Sequence, residues 1–134
     1  MPYSKLLKKI IVESGYTNRD IIEKCNKRDR KIDKAYLSKL QNNKVPAPSE
    51  EISRTIANIC GTDERLLVLE GYIDKAPKEI KEALENIKLI FSMAVLSMFE
   101  NELNDEAIKQ VENEINKEPL SDFILQIIDN KIIL

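Results

Sequence analysis

Residues 32–48 read IDKAYLSKLQNNKVPAP and hold a short helix together with its start and its stop. Asp33 is a natural N-cap, because its carboxylate can accept the free backbone N–H groups of a first helical turn. Tyr36, Leu37 and Leu40 then fall on one face at helical spacing, while Lys34, Ser38, Lys39 and Gln41 fall on the other. Asn42 and Asn43 suit the left-handed residues that end a helix, and Pro46 and Pro48 keep the chain extended after it. One face is built to pack on a small core; the other offers hydrogen-bond donors to something acidic.

The same punctuation continues in both directions. Upstream, Tyr3, Leu6, Leu7, Ile10 and Ile11 give an amphipathic stripe over residues 3–13, and Gly15 closes it. Thr17 caps a second helix with Asp20 in the third helical position, the two halves of a capping box, and Ile21, Ile22 and Cys25 form its inner face. Residues 26–31, NKRDRK, contain nothing apolar and predict an exposed turn, with Asn26 ending the helix before it.

Downstream, Ser49 caps a fourth helix whose first turn holds Glu50 and Glu51 and whose stripe is Ile52, Ile56, Ile59 and Cys60, ending at Gly61. Thr62 predicts the cap of a fifth, with Leu66, Leu67 and Leu69 inward and Gly71 as its stop. Residues 72–77 read as a linker, with Pro77 placed to open a new helix. From Lys78 the pattern changes to a heptad-like seam of Ile80, Leu84, Ile87, Phe91, Ala94 and Met98. Residues 89–99, LIFSMAVLSMF, are apolar nearly all round and need cover on several sides. Further helices are expected at about 104–117 (Ala107, Ile108, Val111, Ile115) and from Ser121 (Phe123, Ile124, Ile127, Ile128); the terminal KIIL fits a short strand or a frayed end. The prediction is an all-α chain with domains at 1–73 and 78–134.

Composition agrees and excludes. With 43% apolar and 33% charged residues, the 134-residue chain has the make-up of a soluble, helix-rich protein. No run approaches the roughly 18 apolar residues of a membrane span, so a cytoplasmic protein is expected. The chain lacks histidine, a glycine-rich phosphate loop and any cluster with metal-ligand spacing, so no enzyme, cofactor or metal site is expected. Cys25 and Cys60 sit in apolar patterns and read as small buried hydrophobes. The net charge of −2 hides a division: residues 1–48 carry 12 Lys+Arg against 5 Asp+Glu, and residues 49–134 carry 9 against 18. The basic end suits a polyanion and the acidic end is kept off it.

In order along the chain, GYTNRDII, IDKAYLSKLQNN, the P-x-P-S restart, SRTIANICG and RLLVLEGYI resemble the Xre-type, lambda repressor/Cro-like helix-turn-helix regulators over about residues 3–73. The resemblance implies a five-helix domain whose second and third helices form the DNA-binding pair, with the start of the third in the major groove. Matched position by position, it implies base reading by Lys34, Ala35, Ser38, Lys39 and Asn18, with Gln41 ranked lower as lying too far round. Thr17, Lys27, Arg28, Arg30, Lys31, Asn43 and Lys44 are then the phosphate contacts that set register. Ile22 stands where the family places a small residue, and the 26–31 turn is longer than usual; together they predict a third helix slightly displaced from the second.

The expected function is a sequence-specific, DNA-binding transcriptional regulator, a repressor of phage or mobile-element type, acting on a double-stranded operator. The seam Ile80, Leu84, Ile87, Phe91, Ala94 and Met98 is the expected homodimer interface, and an antirepressor or peptide effector is a further conceivable partner. The alternative is an antitoxin or helical adaptor whose C-terminal region grips a partner protein.

Overall fold

The computed structural model describes residues 2–98 and 104–129; Phe99, the terminal KIIL at 131–134 and the side chains of Val111 and Ile115 lie outside the described residues. Eight helices are present among them and no strand: α1 Tyr3–Ser14, α2 Asn18–Lys27, α3 Lys34–Gln41, α4 Glu50–Ile59, α5 Glu64–Lys75, α6 Lys78–Met98, α7 Asp105–Lys117 and α8 Leu120–Ile128. The chain is all-α and divides into two units, Pro2–Lys75 and Ala76–Leu134; of the expected linker 72–77, residues 72–75 are the last turn of α5.

The first unit gathers the apolar stripes of its helices into one core. Tyr3, Leu6, Leu7, Ile10 and Ile11 of α1 meet Ile21 and Cys25 of α2, Leu37 and Leu40 of α3, Ile56 of α4 and Leu67 of α5. Each fully buried leucine or isoleucine contributes about 2 kcal/mol of transfer free energy, so the unit is held by these stripes more than by intrinsic propensity in helices of only 8 to 12 residues. The Tyr3 hydroxyl is drawn into the core and shares a 2.9 Å hydrogen bond with Ser53 Oγ.

Most of the expected caps are in place. Thr17 Oγ1 accepts from the Asp20 N–H at 3.1 Å, and Asp20 Oδ2 accepts from the Thr17 N–H at 3.0 Å. Ser49 Oγ accepts from the Ile52 N–H. At the end of α4, Gly61 takes φ +75° while the Thr62 N–H returns to the Ala57 carbonyl at 2.9 Å.

Three expectations are corrected. Helix α2 runs on to Lys27, so Asn26 stays helical and Asp29 (φ 60°) takes the left-handed position, with the Arg30 N–H bonding the Cys25 carbonyl at 3.0 Å. Asp63, not Thr62, caps α5, its Oδ1 accepting from the Arg65 N–H at 3.0 Å, since Thr62 is already occupied closing α4. Gly71 does not stop α5 either; it lies inside the helix, where a Cβ would stand 3.6 Å from Ala47 and from the Tyr3 ring.

In the second unit α6 packs on α8 and α7. The face it buries is Lys88, Ser92 and Leu96, with Phe91 against Phe123 at a centroid distance of 5.5 Å and Lys88 Nζ donating to the Glu118 carbonyl at 2.6 Å. Asn104 caps α7 through the Ala107 N–H at 2.7 Å. Helix α8 begins at Leu120 and buries Leu120, Ser121, Phe123 and Leu125. Ile127 and Ile128, expected inside, are more than half exposed.

Candidate nucleic-acid interface

The site begins with how α3 is held. Asp33 Oδ1 accepts from the Tyr36 N–H at 2.7 Å and the Asp33 carbonyl from the Leu37 N–H at 3.1 Å, closing the first turn. At the other end Asn43 takes φ 57° and the Lys44 N–H bonds the Lys39 carbonyl at 2.9 Å. Leu37 and Leu40 are sealed in the core and Tyr36 is half-buried beside them, its phenol pushed up by burial. Lys34, Ala35, Ser38, Lys39 and Asn42 are left exposed on the opposite face.

Asn18 and Gln41 are not free-standing. Gln41 Nε2 donates to Asn18 Oδ1 at 2.9 Å and Asn18 Nδ2 donates back to Gln41 Oε1 at 3.4 Å. The pair ties the first turn of α2 to the last residue of α3. A primary amide has two donors and two acceptor lone pairs, so each side chain keeps one of each for an outside partner. The sequence ranked Gln41 below its neighbours; its tie to Asn18 crosses 23 positions, and no local spacing announces it.

The bases of the turn separate into two kinds. Arg28 donates to Asn58 Oδ1 at 2.6 Å and Arg30 pairs with Glu51 at 3.8 Å, so both fasten the turn to α4. Lys27, Lys31, Lys34, Lys39 and Lys44 are exposed, and among the described residues their ammonium groups have no hydrogen bond or ion pair. Composition treats all four bases of the turn alike; only the position of α4 distinguishes them. Thr17 spends its hydroxyl oxygen on the cap and keeps its O–H to donate. Its backbone N–H, bonded to Asp20, holds that carboxyl below the usual carboxylate range.

Between α2 and the start of α3 lies an open groove of about 460 Å³, lined by Asn18, Ile22, Asn26, Ile32, Asp33 and Lys34 among others. Ile22, half-buried, is among the residues that line it. A smaller hollow of about 220 Å³ lies at the start of α4, where the Tyr72 hydroxyl donates to Glu50 at 2.8 Å. Burial pushes the Cys25 and Cys60 thiols up, as expected of small buried hydrophobes. Among the described residues no group of acids and cysteines could hold a metal ion, and no helix is long and apolar enough to cross a membrane. No family model matches the chain, and no curated protein or solved structure does either.

Proposed function

We propose that the chain is a sequence-specific regulator that binds double-stranded DNA, a cytoplasmic repressor of phage or mobile-element type acting as a homodimer. The observation that carries this reading is the outer face of α3: Lys34, Ala35, Ser38 and Lys39 are exposed on a helix capped at both ends. The unpaired ammonium groups of Lys27, at the end of α2, and of Lys31 and Lys44, in the turns on either side of α3, flank it. Lys34 and Lys39 can donate to guanine O6 and N7, and the Ala35 methyl can meet a thymine methyl. Thr17, Asn43 and the neighbouring lysines set register on the phosphates.

Arg28 and Arg30 support the same reading at one remove, by fixing the turn that follows Lys27 and carries Lys31. The exposed apolar residues of α6 favour a protein partner, which for an antitoxin or adaptor would be a different chain. An adaptor alone would show no salt-sensitive binding to duplex DNA.

The test is binding to the duplex upstream of the chain's own gene against a random duplex, over a series of salt concentrations. Wild type is expected to prefer the upstream duplex. Lys34→Ala and Lys39→Ala are each expected to cost about 1–3 kcal/mol at the preferred sequence and to narrow the preference. Equal binding to both duplexes by wild type refutes the reading; equal losses on both by the variants reduce the two lysines to phosphate contacts.

A further inference from the structure

Helix α6 is covered by its own unit along one side only. Lys88, Ser92 and Leu96 are buried, and Leu84, Phe91 and Val95 are partly covered beside them. Two residues of the expected seam, Leu84 and Phe91, are therefore turned inward, and Phe91 is spent on Phe123. What stays outside is a different stripe. Ile80, Ala83, Ile87, Ile90 and Ala94 recur at steps of three and four, all exposed, with Ile80 at 52%, Ile87 at 53% and Ile90 at 66%. An apolar repeat averaging 3.5 residues is the spacing that fits one helix against another.

We infer that this stripe is a docking surface for α6 of a second copy, lying parallel to the first about a two-fold axis. The inference rests on the dimeric reading above and fixes which face does the pairing and in which direction. Three observations choose the occupant. A two-fold interface must complement itself, and a stripe of isoleucines interrupted by alanines supplies both knobs and holes. The stripe bears no charge, so it asks for an apolar partner. Ile80, Ile87, Ile90 and Met98, each 52–66% exposed, would if fully covered in both copies approach the roughly 1,000 Å² that a specific interface needs.

The direction follows from how charge is distributed along the helix. All six charged residues of α6 (Lys78, Glu79, Lys81, Glu82, Glu85 and Lys88) precede Leu89. Leu89, Ile90, Met93 and Met98, all exposed, follow. A parallel pair brings apolar half to apolar half, whereas an antiparallel pair lays each apolar half beside the other's charges. In the parallel pair Ile80 faces Ile80 of the second copy, whereas in an antiparallel pair centred on the stripe it faces Ala94.

The experiment is the mass in solution, by light scattering, of the full chain and of Ile80→Glu and Ile80→Lys, with helicity followed by circular dichroism. Ile80 is half exposed, so both variants are expected to keep wild-type helicity. Wild type is expected to be a dimer. Each variant alone places like charges face to face and is expected to weaken association about a hundredfold or more. An equimolar mixture, unfolded and refolded together, is expected to recover the dimer, since the carboxylate introduced in one copy then meets the ammonium introduced in the other only if the helices run parallel.

Variants that stay dimeric by themselves place the interface elsewhere or turn the helices antiparallel, and either overturns the inference. A mixture that stays monomeric beside a dimeric wild type overturns the parallel pairing. A monomeric wild type overturns the dimer as well, leaving the stripe to another protein or to the chain itself. Sequence preference on DNA, measured on wild type, decides the regulator reading independently of all three outcomes.

Discussion

Gly71 and Tyr3 meet across the core of the first unit, and each makes a sharp demand on stability. Glycine inside a helix costs about 0.5–1 kcal/mol relative to alanine, and a Cβ on Gly71 would touch Ala47 and the Tyr3 ring at ordinary van der Waals distance. Gly71→Ala is therefore expected to stabilise the fold by about 0.5–1 kcal/mol, raising the melting temperature by a few degrees. A lower melting temperature would mean that the contact is tighter than 3.6 Å allows. For Tyr3, burial outweighs the bond to Ser53 and pushes the phenol far above its ordinary value. The protonated form is the one the fold requires. The stability tied to it is thus complete below a pH of about 10 and falls as pH rises from there toward the folded value. Denaturant melts across that range are expected to show the loss in wild type, and Tyr3→Phe is expected to flatten it while starting from a lower plateau.

At the scale of the element, the turn between α2 and α3 joins fold to proposed function. Lys27→Ala removes an unpaired charge and is expected to lower the log–log salt slope of DNA binding by about 0.9 while leaving the melting temperature alone. Arg28→Ala removes the bond to Asn58, so its expected signature is a lower melting temperature; an unchanged one would show that the bond does not hold the turn. The sequence made much of this legible. Asp33, Thr17 and Ser49 act on N–H groups within three positions, and residues so close need no tertiary information to find one another. Its failures share a cause. Asn26 and Asp29 can both adopt the left-handed conformation, and the choice fell to Asp29 through backbone bonds that continue the helix. Gly71 looks like a stop until Ala47 and Tyr3 stand beside it. The tie between Asn18 and Gln41 and the removal of Leu84 and Phe91 from the α6 seam depend on contacts distant in sequence.

Across the whole molecule, the core cluster led by Tyr3, Leu7, Ile21, Leu37 and Ile56 lies entirely between residues 3 and 67. A fragment of residues 1–75 is accordingly expected to melt cooperatively by circular dichroism; a broad, non-cooperative melt would mean that the first unit needs the second. Residues 76–134 carry 12 Asp+Glu against 6 Lys+Arg. Removing them strips net negative charge, so the fragment should hold random duplex more tightly than the full chain at low salt, with the gap closing as salt rises.

The amide pair of Asn18 and Gln41 bears on where the entropy of recognition is lost. A free lysine gives up roughly 2 kcal/mol of rotamer freedom when a partner fixes it. Asn18 and Gln41 have largely given theirs up on folding, each held by the other, and still have a donor and an acceptor to offer. If DNA is the partner, the lysines around α3 supply attraction that salt can screen, against an ordering cost at every contact. The amide pair meets the duplex already in place.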